Sequence, residues 1–249
     1  MINGPVLFSR FAYPPNSLGY CGPEDTELLA DMLADGSPAE REFRRTIESF
    51  AGAWPYLELL GGCAGLDPLD ARVVEAYWLG NELLARVDSL TWGNSLDDRF
   101  RGRAGSDWDR IVEGMAGGGV PNHAFHVFCA YPWVGLLRSG AVDQAMTVLD
   151  NCRIRWGTVV GRVDERLLVE SQPLSWDGMT LGLGAERVEH VRASIDTAES
   201  VSAGDRVAMH WDYVCQRLSS RQLASLQRQH GAHLALVNRH PAALAARVE

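Results

Sequence analysis

The chain contains no lysine: all 23 of its basic residues are arginine. The bias reflects genomic composition rather than a site, but it leaves no lysine for a phosphate-cradling Walker loop. Gly61-Gly62-Cys63-Ala64-Gly65 lacks the spacing as well, and Gly182-Leu183-Gly184 lacks the third glycine of a dinucleotide fingerprint. A Gly-x-Ser-x-Gly elbow and a metalloprotease helix signature are also missing, which argues against an ordinary nucleotide enzyme or hydrolase. No stretch reaches the roughly 18 consecutive apolar residues of a spanning helix. Residues 1–20, with Arg10 and prolines, carry no apolar core or cleavage site of a signal peptide. The net charge of -9, with basic residues scattered among acidic ones, excludes a nucleic-acid or anionic-membrane partner bound through a basic face. The five cysteines are odd in number and widely spaced, which fits free thiols in a reducing cytoplasm better than a disulfide framework. The expected location is cytoplasmic and the expected partner a protein.

What is present divides in two. At 249 residues and 46% hydrophobic, the chain can bury two modest cores. From Pro23 to about Gly140 apolar residues recur at helical spacing, as in Leu28, Leu29, Met32, Leu33 and Phe43, Ile47, Phe50. Asp67-Pro68-Leu69-Asp70 reads as a helix start, with Asp67 as N-cap ahead of Val73, Val74, Tyr77 and Trp78. Asp107-Trp108-Asp109 opens another helix, Gly117 to Pro121 is a loop, and a further helix is expected from about His123 to Leu137. After Cys152 the pattern changes. Residues 156–160, 167–171, 178–181 and 206–211 read as short strands, and from Ser219 to about Val237 helical spacing resumes. The expected architecture is α+β: a helical domain (1–145), a small OB-like β-barrel with a closing C-terminal helix (146–240) and a tail (241–249).

Two motifs flank the β-rich region. Cys152 is followed five residues later by Gly157 and the β-branched run Thr158-Val159-Val160. At the far end Gly204-Asp205 turns into Arg206-Val207-Ala208-Met209-His210, with Tyr213 three residues on and Leu218, Leu223 and Leu226 beyond. In this order the pair resembles the HypC/HupF family of [NiFe]-hydrogenase maturation chaperones, over about residues 150–235. The resemblance implies an assembly factor that binds the hydrogenase large-subunit precursor or a HypD-like partner and carries iron with cyanide and carbonyl ligands. It makes Cys152 and His210 the expected metal or partner-contact residues, converging on one edge of the barrel. A soft thiolate suits low-spin iron with such ligands, and a partly exposed strand-edge cysteine deprotonates without the cost of deep burial. His210 offers a second nitrogen ligand or a hydrogen bond orienting the thiolate. Two departures stand out: about 150 residues precede a cysteine that begins the mature family proteins, and Trp156 replaces the usual proline.

The helical half holds rival donors. His123 and His126 share a helical face and could bind a transition metal or haem iron, with Cys129 off that face. Phe125, Phe128, Tyr131 and Trp133 make an aromatic core the competing explanation. Cys21 precedes a helix whose amides and dipole are expected to depress its pKa, or else simply fills a turn; Trp54, Tyr56, Tyr77, Trp78 and Asn81 could line a pocket with it. Cys63 and Cys215 read as structural. The alternatives to the maturation reading are thus a metal- or haem-dependent enzyme using Cys21, His123 and His126, and a metal-free assembly scaffold.

Overall fold

The computed structural model describes residues 3–35, 40–104, 108–194, 196–197 and 200–239. It is α+β: helices lead as far as residue 152, a closed five-stranded barrel follows, and a C-terminal helix ends the described chain. No described helix is long and apolar enough to cross a membrane.

The helical part begins before the periodic region, with α1 (Gly4–Ser17). Asn3 caps it by accepting from the Val6 N–H, and Pro5 sits in its first turn. The helix runs through Pro14 and Pro15, which lack the N–H a helix interior needs. There follow α2 (Glu27–Asp35), α3 (Glu40–Glu48), α4 (Trp54–Ala64) and α5 (Ala71–Trp78). The start expected at Asp67 falls three residues later. Asp67 closes only a turn, accepting from Leu69, whereas Asp70 is the N-cap and accepts from Arg72. Packing decides this: the turn presses on Gly4 of α1, where a Cβ would lie 1.7 Å from the Leu69 oxygen. A 3₁₀ turn (Glu82–Arg86), α6 (Ser89–Ala104) and α7 (Trp108–Ala116) come next.

The single helix expected from His123 to Leu137 is instead three pieces: α8 (His123–Phe125), a π-helical turn (His126–Ala130) and α9 (Trp133–Arg138). Asn122 caps α8 by accepting from Phe125. The wide turn closes through the Tyr131 N–H on the His126 carbonyl at 2.9 Å. Pro132, which cannot donate, then ends it. Helix α10 (Val142–Cys152) leads to the barrel.

The barrel strands are β1 (Arg155–Val163), β2 (Arg166–Ser171), β5 (Arg187–Ala193), β6 (Arg206–His210) and β7 (Tyr213–Arg217), closed in the order β1-β2-β5-β7-β6. Only the β5–β7 pairing is parallel. Val159, Leu167, Val169, Val191, Val207, Met209 and Val214 fill the interior. Between β2 and β5 a hairpin, β3 (Leu174–Trp176) and β4 (Leu181–Leu183), stands apart from the barrel. Most of the strand expected at 178–181 is its turn, because Asp177 accepts from both Met179 and Thr180 and bends the chain. Helix α11 (Ser220–Asn238) starts in a Ser219–Gln222 capping box. It packs on α8, the π turn and β4, and Asn238 bonds both ways with Leu181 at 3.0 and 2.8 Å. A second and larger apolar core runs without a break from Leu7 through Leu149 and Ile154 to Ala208, Cys215 and Leu234.

The glycine five residues after Cys152 has a steric cause. A Cβ at Gly157 would lie 2.5 Å from Val169 Cγ1 and 2.6 Å from the Glu170 oxygen, both on β2. On the same strand, the nearest neighbour of a Cβ at Gly161 is 3.7 Å away. Gly157→Ala is therefore expected to lower stability by about 1–3 kcal/mol through overpacking, and Gly161→Ala to leave it within about 0.5 kcal/mol. Urea denaturation of the two variants checks the contrast, and equal midpoints would contradict it.

Candidate metal centre

Buried arginines shape the turn from α10 into β1. Arg153 donates to Asp150 at 2.9 and 3.1 Å, to the Gln172 carbonyl at 2.6 Å and to His230 Nε2 at 3.2 Å. Arg155 pairs with Glu189 at 2.5 Å and donates to the Trp211 carbonyl. Desolvated guanidinium groups are tolerated only when paired in this way. Burial holds Arg153 down at about 10, still charged at neutral pH. The Trp211 N–H donates to the Asn151 carbonyl at 2.9 Å. That bond ties the residue before Cys152 to the residue after His210. Cys152 thus belongs to the last turn of α10, not to the strand edge expected for it.

His123, from α8, completes a cluster: one ligand atom each from His123, Cys152 and His210 lie within 4.8 Å of one another. The two imidazole centroids are 5.2 Å apart, and the Trp78 ring borders them at 4.7 and 5.6 Å. The hydrogen bonds assign each ring a tautomer, since a carbonyl can only accept. His210 Nδ1 lies 2.6 Å from the Phe11 carbonyl, so Nδ1 carries the proton and Nε2 the lone pair. That carbonyl is available because its intrahelical donor would be the N–H of residue 15, and Pro15 has none. His210 is 1% exposed and its Nε2 makes no hydrogen bond. Burial and then the neighbouring His123 hold its pKa well below 6.5, although the Phe11 and Cys152 carbonyls favour the charged ring.

His123 donates from Nε2 to the Cys152 carbonyl at 2.8 Å, and its Nδ1 faces the Tyr77 hydroxyl at 3.2 Å. Tyr77 is steadied by the Gly52 carbonyl at 3.1 Å. Burial takes His123 down to about 4. His126, expected to share a metal with His123, is outside the cluster. Its Nδ1 meets the Tyr56 hydroxyl at 3.1 Å and its ring packs on Tyr131 at 4.2 Å. Burial, then His123, lowers it to about 3. Gly52 makes room for it, since a Cβ there would lie 2.8 Å from His126 Nε2.

The thiols differ from expectation. Cys152 is half-buried, yet desolvation and nearby Cys21 push its pKa well up, so in the metal-free protein it is a thiol. Burial pushes Cys21 up to about 12, the opposite of the depression expected from a helix start. The next helix begins at Glu27, too far away for its dipole to act. The loop holding Cys21 is pinned by Asn16, whose amide donates to the Cys21 and Pro23 carbonyls at 2.8 and 2.7 Å. Tyr20 lays its ring on Trp211 at 4.0 Å, so the loop covers the end of β6. Cys129 and Cys215 are buried and Cys63 half-buried. Asn81 caps the 3₁₀ turn.

Sequence reasoning passed over the Phe11 carbonyl, Pro15 and Gly52, and treated Tyr56, Tyr77, Trp78 and Tyr131 mainly as core. The one available signal was a Pro-Pro pair following Phe8-Ser9-Arg10-Phe11.

These features define a two-histidine, one-cysteine cluster where a helical region meets a small closed barrel. The chain belongs to a family of unknown function, DUF6390, whose model matches residues 1–243, helices and barrel together. No curated protein and no solved structure matches the chain.

Among the described residues five histidines are buried: His123, His126, His210, His230 and His233. All have folded pKa values lowered below 6.5. Between those values and 6.5 the unfolded chain binds the protons and the folded chain does not, so stability falls as the pH drops from about 6.5 toward 4. Each histidine contributes up to about 1.4 kcal/mol per pH unit. Urea midpoints measured from pH 7.5 to 4.5 should fall steeply below 6.5; a flat profile would show that the rings are not held neutral.

Proposed function

We propose that the protein is a metal-carrying assembly factor of the HypC/HupF kind, which holds iron at Cys152, His210 and His123 and passes it to a [NiFe]-hydrogenase large-subunit precursor with a HypD-like partner. The observation that carries this reading is the convergence of the three donors within 4.8 Å, with His210 Nε2 presenting an unengaged lone pair.

The donor chemistry supports a transition metal over magnesium or calcium, since one thiolate and two imidazoles are soft to borderline ligands. A metal held by all three donors at about 2.0–2.3 Å would put them roughly 3–3.5 Å apart, so the cluster would need to contract by about 1–2 Å on loading. His123 also has to exchange one hydrogen bond for the metal. Cys152 would release its proton on taking up a metal, whose charge would offset the desolvation that otherwise keeps the sulfur protonated. Phe11 holds His210 from behind in the manner of outer-shell carbonyls that fix a ligand's tautomer.

The barrel supports an OB-like, HypC-like identity. Counting its strands alone, the order is first, second, third, fifth, fourth, with the third and fifth parallel, as in a five-stranded Greek-key OB barrel. In the short family proteins the cysteine has a free amine beside it. Here His123 would supply the third donor in place of that amine, which gives the helical domain a role. The rival reading, a metal or haem enzyme within the helical half, loses support because His123 joins the barrel donors while His126 faces Tyr56.

Cobalt(II) titration under anaerobic conditions, read by thiolate-to-metal absorption, tests the site. One equivalent should bind, with loss of at least about tenfold in affinity for Cys152→Ala and for His210→Ala, and little change for His126→Gln. Pro15→Ala should separate stability from binding. The restored N–H competes for the Phe11 carbonyl; the roughly 3 kcal/mol regained by the helix is offset by about 1–3 kcal/mol lost with the His210 bond, so stability holds or rises by up to about 2 kcal/mol while cobalt affinity drops about tenfold. Unchanged affinity in Cys152→Ala would sink the metal site. The hydrogenase role is tested by co-purification from a host expressing hydrogenase genes, followed by infrared detection of cyanide and carbonyl bands. Failure to recover a large subunit or a HypD-like protein would remove that role and leave the metal site standing.

A further inference from the structure

Three donors leave the metal centre short in two respects. A tetrahedral shell has a fourth position, and a divalent ion bound to one thiolate and two neutral imidazoles keeps an uncompensated positive charge. Holding such a charge at a buried junction is costly. The surroundings do not cancel it: no described carboxylate belongs to the cluster, and the charged side chain that acts on His210 is a cation, Arg155. Of the ionisable groups nearby, the phenols of Tyr77 and Tyr131 are harder donors, whereas the Cys21 thiol has the softness of the other three.

The fold brings Cys21 to the same junction as Cys152 by way of Trp211. The Tyr20 ring lies on the Trp211 ring at 4.0 Å, and the Trp211 N–H donates to the Asn151 carbonyl at 2.9 Å. One tryptophan thus holds the residue before each cysteine. It takes a φ of 54°, a left-handed conformation that a bulky side chain rarely adopts. Both thiols act on the same groups: Cys21 raises the Cys152 pKa, and the two together act on Tyr131 and on Tyr77, whose hydroxyl faces His123. An independent feature asks for a ligand, since His210 Nε2, on a ring only 1% exposed, has no hydrogen-bond partner. The Cys21 sulfur is outside the group of atoms that lie within 4.8 Å of one another, so its loop has to close further on loading. Gly19 and Gly22 flank it at φ of 74° and 86°, and a Cβ at Gly19 would meet nothing within 4 Å, which leaves the outer side of the loop unobstructed.

We propose that Cys21 is the fourth donor of the centre: the loop after α1 closes over a bare divalent transition-metal ion and binds it through a second thiolate, giving a neutral site of two thiolates and two imidazoles. This rests on the three-donor reading above. Each sulfur gives one proton to solvent as its bond to the metal forms, and no electron is transferred. An iron that already bears two cyanides brings its own negative charge, so the second sulfur serves the bare ion and makes way for those ligands.

Cobalt(II) titration of the full chain between about pH 7 and 8, with released protons counted, tests the assignment. Both imidazoles are neutral in that range, so protons come from sulfur. About two protons per cobalt are expected from the unaltered chain and about one from Cys21→Ala, with thiolate-to-metal absorption per cobalt roughly halved and affinity lowered at least about tenfold. Cys63→Ala, which removes a half-buried thiol outside the centre, should match the unaltered chain. A single proton per cobalt in the unaltered chain, or full absorption in Cys21→Ala, overturns the fourth donor; if Cys152→Ala still weakens binding, the three-donor centre stands. Cobalt affinity unchanged in both variants removes the centre and this inference with it.

Discussion

The arrangement turns on one hydrogen bond, from His210 Nδ1 to the Phe11 carbonyl at 2.6 Å. It joins the end of a barrel strand to the middle of the first helix, and it exists because Pro15 cannot supply the N–H that would normally occupy that carbonyl. An interior proline usually weakens a helix by leaving such a group unsatisfied. Here the unsatisfied group is used: it fixes the imidazole tautomer and turns the free nitrogen toward Cys152. Were the carbonyl bonded within the helix, the buried ring would lose its only hydrogen bond, at a cost of about 1–3 kcal/mol.

The remaining geometry follows from the same junction. Arg153 and Arg155 are 2% exposed, with Ile154 between them also in the core. Their carboxylate and carbonyl partners come from α10, the β2–β3 connection, β5 and the end of β6, so the two charges hold four parts of the chain together. Removing either arginine would cost a half-buried carboxylate its closest ion pair and loosen the turn that carries Cys152. The helical region is therefore structural to the candidate centre as well as a source of its third donor. That agrees with one family model spanning residues 1–243 and with the larger apolar core crossing from helices to barrel.

What could be read in advance divides along physical lines. The α+β order, the strands at 155–163, 166–171 and 206–210 and the capped helix after Ser219 were legible because periodicity and turn chemistry are local. Strand β3 is too short to show a period, β7 has no Gly-Asp turn before it like the one that announces β6, and β5, with an exposed outer face, offers only a weak alternation. The start of α5 was misplaced because two aspartates three residues apart both offer caps, and only the packing of Leu69 on Gly4 chooses between them. For the centre, Cys152, His210 and His123 were all singled out, but under two competing hypotheses, since no spacing rule connects a residue of α8 with the end of β6. The groups that orient them are a backbone oxygen and a tyrosine, whose roles depend on tertiary contacts. The depressed thiol considered for Cys21 failed for a related reason, since it counted helix proximity and not burial, whereas the turn-filling alternative agrees with the buried thiol.

Burial also governs what the cluster can do without a metal. The site contains a neutral thiol and two neutral imidazoles, with no described carboxylate in the group, so it carries no charge of its own. A site of this kind is a poor nucleophile, because a desolvated thiol gives little thiolate and a depressed imidazole is a weak base toward it. For a cation of soft preference the same features are favourable. Proton release from one sulfur is driven by the incoming charge, the imidazole lone pairs are already free of protons, and no competing anion has to be displaced. The resulting dependence on proton concentration would let a partner that admits water or a base to the junction change metal affinity steeply. That is a property a carrier needs in order to release what it holds, and one that a purely structural metal site does without.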